Sequence, residues 1–361
     1  MFASSLGAIS GVDNRLQFAK AKRVIVVLVD GLGAQNLKAA AGHAPFLNAA
    51  MAKTKPIACG FPSTTATSIT SFGTGVSGGQ HGLIGYKLYD RQTKTAFNLL
   101  NGWTSELKSE QWQPLPTVTQ NAFSSGIQPY FIGPKAYEGS DFTRVTMAGA
   151  TYRPGKTVAD RFAIAEQLLR GSKDDSLTYL YVPELDQVAH AHGVSSDRWL
   201  AELEELDSQV RKLSLALSKG DAMLLTADHG VIDIQAHGQV YIDEFDTDWS
   251  AVANVSGDPR VNFVYLNDAV DTDRIAESMT LNLEGRGLAL SKQQVIDAGW
   301  YGPVTNEAAQ RMPEIFLLAT KNVAFYHREY APAASLNMIG QHGALSSLEM
   351  SIPLIGWGAF N

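Results

Sequence analysis

Six consecutive residues, Val24-Ile25-Val26-Val27-Leu28-Val29, are apolar and mostly β-branched, and the run ends abruptly at Asp30-Gly31-Leu32-Gly33. A strand that is apolar at every position has no face to offer to water, so it belongs inside a sheet covered on both sides, which is the usual situation of a parallel strand. Asp30 then stands at a strand's carboxyl end. Similar runs recur at Tyr130-Phe131-Ile132 before Gly133-Pro134, at Leu177 to Val182 before Pro183, and at Ala222 to Thr226 before Ala227-Asp228-His229-Gly230. Between them lie helical patterns, the clearest being Leu200, Leu203, Leu206, Val210, Leu213 and Leu217 at steps of three and four. Alternating strands and helices imply an α/β sandwich around a mostly parallel sheet. In such sheets ligands sit beyond the carboxyl ends of the strands, so the polar residues there are the first functional candidates.

The chain has 361 residues, 45% of them hydrophobic, enough for one large core or one core plus a smaller insertion. From Val231 to Gly340 the strand signals are less regular and turns punctuate the chain, as at Gly257-Asp258-Pro259 and Gly285-Arg286-Gly287. The expectation is a single catalytic domain over residues 1–361 with an inserted cap at roughly 240–330. A net charge of -7 excludes a general attraction to nucleic-acid duplexes or anionic lipid, so an anionic substrate has to be held by local positive charge. No segment reaches the ~18 uninterrupted apolar residues of a membrane span. The start of the chain lacks the basic and apolar pattern of an export signal, and the single cysteine, Cys59, has no internal partner. A soluble, cytoplasmic protein of unknown oligomeric state is expected.

Three of the eight histidines stand beside other metal-ligand types. Asp186 and His190 are four residues apart after a strand, a spacing that puts both on one face of a helix. Asp228-His229 directly follows another strand, His342 lies in Gln341-His342-Gly343, and Asp30 completes the carboxylates. Each piece alone has a plain structural explanation: a helix-surface pair, a capping aspartate or a strand-ending turn. Together, three strand ends and a glycine-flanked histidine supply a full set of carboxylate and imidazole ligands without cysteine, a set suited to Zn²⁺ with Mn²⁺ or Fe as alternatives. Two such cations can hold both the attacking and the leaving oxygen of an in-line displacement. The nucleophile candidates lie in the hydroxyl-rich segment from Phe61-Pro62-Ser63-Thr64-Thr65 to Thr74-Gly75, where a hydroxyl needs a base or metal beside it to react.

The ordered set Val29-Asp30-Gly31, Phe61 to Thr65, Thr74-Gly75, His81-Gly82, Asp186 with His190, Asp228-His229-Gly230 and His342-Gly343 resembles the alkaline phosphatase superfamily, and within it the nucleotide pyrophosphatase/phosphodiesterase branch. The resemblance spans residues ~23 to 357. It implies an alkaline-phosphatase-like α/β/α sandwich, and two divalent cations: Asp186, His190 and His342 around one, Asp30, Thr65, Asp228 and His229 around the other. It further implies Thr65 as nucleophile, since that branch places it nine residues before the Thr of the Thr-Gly pair, here Thr74; Thr64 is the fallback. Attack by Thr65 on phosphorus would give a covalent phosphothreonine species that water releases. The chain departs from the branch at Ala66-Thr67-Ser68, where Phe-Pro-Asn is usual, and at Tyr86, which replaces a phosphate-binding Asn. Tyr86 can donate its phenolic O–H to a phosphoryl oxygen or be a core aromatic, and Lys135 can add charge near a phosphate or be a solvated loop residue. His43, His81, His192, His237 and His327 have no assigned role. Cys59-Gly60-Phe61-Pro62-Ser63 lacks the sulfatase order Cys-x-Pro-x-Arg, which disfavours sulfate esters. The expected activity is cleavage of a phosphodiester or pyrophosphate in a small molecule such as a nucleotide. The rivals are a phosphomonoesterase or phosphomutase of the same superfamily, and an inactive metal-binding relative.

Overall fold

The computed structural model describes residues 1–171 and 174–361. The apolar runs of the sequence form β1 (Arg23–Val29), β2 (Gln128–Gly133), β4 (Ser176–Val182) and β5 (Asp221–Thr226), joined by an edge strand β3 (Thr151–Pro154). A later segment contributes β6 (Val252–Asp258), β7 (Val261–Leu266), β8 (Gly287–Ser291) and β9 (Ile315–Ala319), and the chain returns with β10 (Leu354–Gly358). The first sheet has the order β10-β5-β1-β4-β2-β3. All its pairings are parallel except that of β10 on β5.

The two faces of this sheet explain why its strands are apolar throughout. Val24, Val26 and Leu28 point into one core layer together with Leu177, Tyr179, Tyr181 and Leu224. Ile25, Val27 and Val29 point into the other, with Leu180, Val182, Met223 and Leu225. Side chains of a strand alternate between faces, so burial of both leaves no position for a polar residue. The second layer is closed by α2 (Val158–Gly171) and α4 (Asp197–Leu215), which bring Val158, Phe162, Ala165, Leu203, Leu206, Val210 and Leu213 against the sheet. Ser196 caps α4 by accepting the Trp199 N–H, and the helix ends at Leu215, so the last residue of the sequence periodicity, Leu217, lies beyond it.

The later segment forms a four-stranded antiparallel sheet, β6-β7-β9-β8. Val261, Phe263, Tyr265, Phe316 and Leu318 join the first core layer of the main sheet. Val264, Leu266, Ile315 and Leu317 face the other way, onto Ile275, Met279 and Leu283 of α5 (Thr272–Leu283). One face of this small sheet therefore shares the main core. Between β1 and β2 lies α1 (Thr65–Thr74), whose Ala66, Ile69 and Phe72 pack into the first layer.

Register places the functional edge. Leu28 stands opposite Tyr181 on one side and Thr226 on the other, so β1, β4 and β5 finish level. Asp30, Pro183 and Ala227 follow these strands, and α3 (Glu184–His192) begins directly after Pro183.

Candidate active site

Gly31 shows how closely the chain segments meet here. Its φ of +72 lies in the left-handed region, and a Cβ on it would come within 3.0 Å of Asp186 Oδ1. Only glycine allows both the turn after β1 and the approach of Asp186. On α3, Asp186 and His190 share one face as their spacing requires, with His190 Nε2 3.1 Å from Asp186 Oδ2. His342 Nε2 lies 3.9 Å from Asp186 Oδ1. After β5, Asp228 Oδ1 accepts the Gly31 N–H at 3.2 Å and the His229 N–H at 3.0 Å. His229 Nε2 stands 3.3 Å from Asp30 Oδ1, 3.6 Å from Asp228 Oδ2 and 3.2 Å from Thr65 Oγ1. Its ring stacks on that of His342 at 3.7 Å. All seven residues Asp30, Thr65, Asp186, His190, Asp228, His229 and His342 thus meet in one neighbourhood.

The histidines are oriented by the backbone. His190 Nδ1 is 2.8 Å from the Gly340 carbonyl, His342 Nδ1 2.9 Å from that of Ser63, and His229 Nδ1 3.2 Å from that of Gly230. A carbonyl can only accept, so each Nδ1 carries the proton; Nε2 of His229 and of His342 then presents a free lone pair to the same centre, while Nε2 of His190 is held on Asp186 Oδ2. This outward N–H···O=C restraint is what metal-bound imidazoles ordinarily have.

The carboxylates lack such partners. Asp30 Oδ1, Asp186 Oδ1 and Asp228 Oδ2 are buried and accept no hydrogen bond, while Tyr181 Oη donates to the other oxygen of Asp30. Burial, then the charges of Asp228 and Asp186, hold the Asp30 carboxyl well above the usual range. Burial and Asp186 push Asp228 up to about 7. Asp186 goes the other way: burial opposes its charge, but the His190 imidazole outweighs it. His190 is raised to about 9 against its own burial by Asp186, whereas burial lowers His229 and His342. Three buried carboxylate oxygens with no hydrogen-bond partner among the described residues, beside two free imidazole nitrogens and the Asp186–His190 pair, are unfavourable in isolation and fit bound cations. Two groups with ligand atoms within 4.8 Å of one another stand out among the described residues: Asp186, His190 and His342, and Asp30, Asp186 and His229.

Thr65 is the first residue of α1 and Thr64 its N-cap. Thr64 is fully buried with its hydroxyl away from the cavity lining; Thr65 lines the cavity and faces His229. The cavity measures about 380 Å³ and runs from Asp30, Thr65, Asp186, His190 and His342 to an aromatic outer part including Tyr86, Tyr326 and Tyr330. Tyr86 therefore borders the site. Lys135 does not reach it: its side chain is exposed and paired with Glu138. His327, without a role in the sequence reading, lines the cavity, while His81 is a buried core residue held by Ser71 Oγ at 2.9 Å. Sequence reasoning missed Tyr181, because a tyrosine within an apolar strand reads as core, and Asp258, because Gly257-Asp258-Pro259 reads as a turn.

Residues 24–345 match the family model for type I phosphodiesterase / nucleotide pyrophosphatase. The chain belongs to that family. It is accordingly a phosphoric ester hydrolase of a metal-dependent family, built on the alkaline-phosphatase-like fold. Among solved structures this phosphodiesterase-family chain is similar to murine ectonucleotide pyrophosphatase / phosphodiesterase 5, with a TM-score of 0.73 at 16% identity over 93% of this chain and 88% of that one. An inactive Thr-to-Ala variant of the murine protein in complex with AMP gives 0.72 at 15%, over 94% and 88%. The human counterpart gives 0.70 at 18%, over 93% and 87%. No curated protein matches the chain.

Proposed function

We propose that this chain is a phosphodiesterase/nucleotide pyrophosphatase that works with two divalent cations, zinc first and manganese second, and with Thr65 as nucleophile. The observation that carries the reading is the convergence of three backbone-restrained imidazoles and three unpaired carboxylate oxygens in one neighbourhood, with the Thr65 hydroxyl 3.2 Å from one of those imidazoles, His229. Asp186, His190 and His342 would hold one cation, and Asp30, Asp228, His229 and Thr65 the other, with the stretch 240–330 as a cap of the single catalytic domain. Bound there, the cations supply the positive charge that the acidic chain lacks, lowering the hydroxyl's pKa and neutralising phosphoryl oxygens.

In the reaction so proposed, Thr65 Oγ gives up its proton and bonds to phosphorus, and one ester oxygen leaves with its electron pair and takes up a proton from solvent. Water then breaks the Oγ–phosphorus bond and restores the hydroxyl. The start of α1 adds the partial positive charge of a helix N-terminus next to the attacking oxygen. Burial first, then Asp258, keeps the Tyr86 phenol above its usual pKa. It remains an O–H donor suited to a phosphoryl oxygen, where the branch ordinarily has an amide. The aromatic outer cavity suits a planar group such as a nucleoside, consistent with AMP in the complex of the murine relative.

Comparing bis-p-nitrophenyl phosphate with p-nitrophenyl phosphate under added Zn²⁺ or Mn²⁺ tests the assignment. The diester is expected to be the better substrate; strong preference for the monoester would replace this reading by a phosphomonoesterase.

A further inference from the structure

The cavity wall supplied by the antiparallel sheet carries acceptors that nothing among the described residues satisfies. Asp258 ends β6 and Asn262 lies on β7; each is only 5% exposed, and both line the cavity. Asn262 Nδ2 donates to the Asp258 carbonyl at 2.8 Å and to the Phe325 carbonyl at 3.3 Å. Both its N–H groups are thereby used, which fixes the amide's orientation and leaves Oδ1 as an acceptor. That Oδ1 has no partner, and neither has Asp258 Oδ2. Leaving such buried acceptors unpaired is unfavourable by about 1–3 kcal/mol each, so a ligand that brings donors gains by meeting them.

Three of the donors lining the cavity are engaged elsewhere, whereas His327 Nδ1 has no partner among the described residues. Lys87 Nζ donates to the Tyr330 carbonyl at 3.0 Å, Gln187 Nε2 to Tyr137 Oη at 3.2 Å and Gln341 Nε2 to Tyr326 Oη at 3.3 Å. Asp258 also adjoins the reacting end of the cavity, since a Cβ on Gly343, next to His342, would lie 3.2 Å from Asp258 Cβ. Phe325, Tyr326 and Tyr330 line the same cavity, and aromatic faces favour a cation over a neutral polar group.

Resting on the phosphodiesterase reading above, we infer that Asp258 and Asn262 form a specificity subsite that reads N–H donors, so that the preferred diesters carry a primary ammonium on one of their alcohol groups. The subsite lies within reach of the reacting centre, sets a carboxyl group and an amide oxygen in the lining of the same cavity, and leaves the phosphoryl group to Thr65 and its neighbours.

Three diesters with a common leaving group test this: 2-aminoethyl, 2-hydroxyethyl and ethyl p-nitrophenyl phosphate, assayed with the Zn²⁺-supplemented enzyme. The expected result is a kcat/KM for the aminoethyl ester about tenfold or more above that for the ethyl ester, with the hydroxyethyl ester between them. Asp258→Asn, nearly isosteric, is expected to bring the aminoethyl ester down to the hydroxyethyl level with the ethyl ester little changed. Equal kcat/KM for aminoethyl and ethyl esters overturns the inference, equal values for aminoethyl and hydroxyethyl esters overturn its ammonium assignment, and an equal loss on all three in Asp258→Asn makes Asp258 a positioning residue for His342 instead. Calorimetric binding of the same esters to Thr65→Ala separates this from the hydrolase reading. If the wild type cleaves none of the esters while Thr65→Ala binds the aminoethyl ester more tightly than the ethyl ester, the subsite stands and the hydrolase reading fails; equal binding overturns the subsite.

Discussion

The side chains at the centre of this molecule differ in what holds them, and the difference separates ligand from scaffold. His190, His229 and His342 each spend Nδ1 on a carbonyl and leave Nε2 toward the carboxylates. His81, equally buried, spends its nitrogens on Ser71 Oγ and the Leu83 N–H. Thr65→Ala is expected to lower turnover about a thousandfold or more while leaving metal content and thermal midpoint largely unchanged; retained activity in metal-replete protein would exclude Thr65 as the nucleophile. Tyr181→Phe removes the hydroxyl that donates to Asp30 and so frees that carboxylate to rotate. Its metal affinity, titrated against a competing chelator, is expected to fall about ten- to a hundredfold. Asp30, Asp186, His190, Asp228 and His229 were legible because each follows an apolar run or sits at helical spacing, whereas His342 stood out only as a glycine-flanked histidine. Tyr181 was not, because one strand position looks like any other until the facing loop is known.

At the level of elements, periodicity carried most of the information. The leucine spacing of α4 identifies the face that Leu203, Leu206, Val210 and Leu213 bury against the sheet. Leu206→Ala leaves a cavity in that layer and is expected to cost about 2–5 kcal/mol in denaturant unfolding, with kcat unaffected in the folded fraction; a loss below about 1 kcal/mol would mean that the site collapses around the gap. The antiparallel sheet was harder to read. β6 mixes Asn254, Ser256 and Asp258 with Val255, so its apolar alternation is broken by residues that face the cavity or one another. Likewise β10 follows a short helix and joins the main sheet antiparallel, a pairing that no local pattern encodes.

For the molecule as a whole, the carboxylate cluster couples stability to pH and metal. Asp228 titrates at about 7 in the folded protein against an ordinary 3.8. The folded state therefore binds more protons between those values, and in metal-free protein this group's contribution to stability falls as pH rises through the window. Cations require the deprotonated carboxylates, so the rise in thermal midpoint on adding Zn²⁺ is expected to be larger near pH 7 than near pH 5; a gain that is the same at both would show that Asp228 is not a ligand. The amino-acid sequence by itself determined the strand runs, the helical faces, the ligand types and their order, because hydrophobic periodicity and strand-end polarity are local properties. Only the tertiary structure decided which nitrogen each imidazole presents, that Thr65 rather than Thr64 faces the centre, that Lys135 stays outside and that Asp258 lines the cavity. The physical reason is distance along the chain: Thr65 and His229 are 164 residues apart and His342 and Ser63 are 279 apart, and such contacts exist only after three level strand ends and a distant loop have packed together.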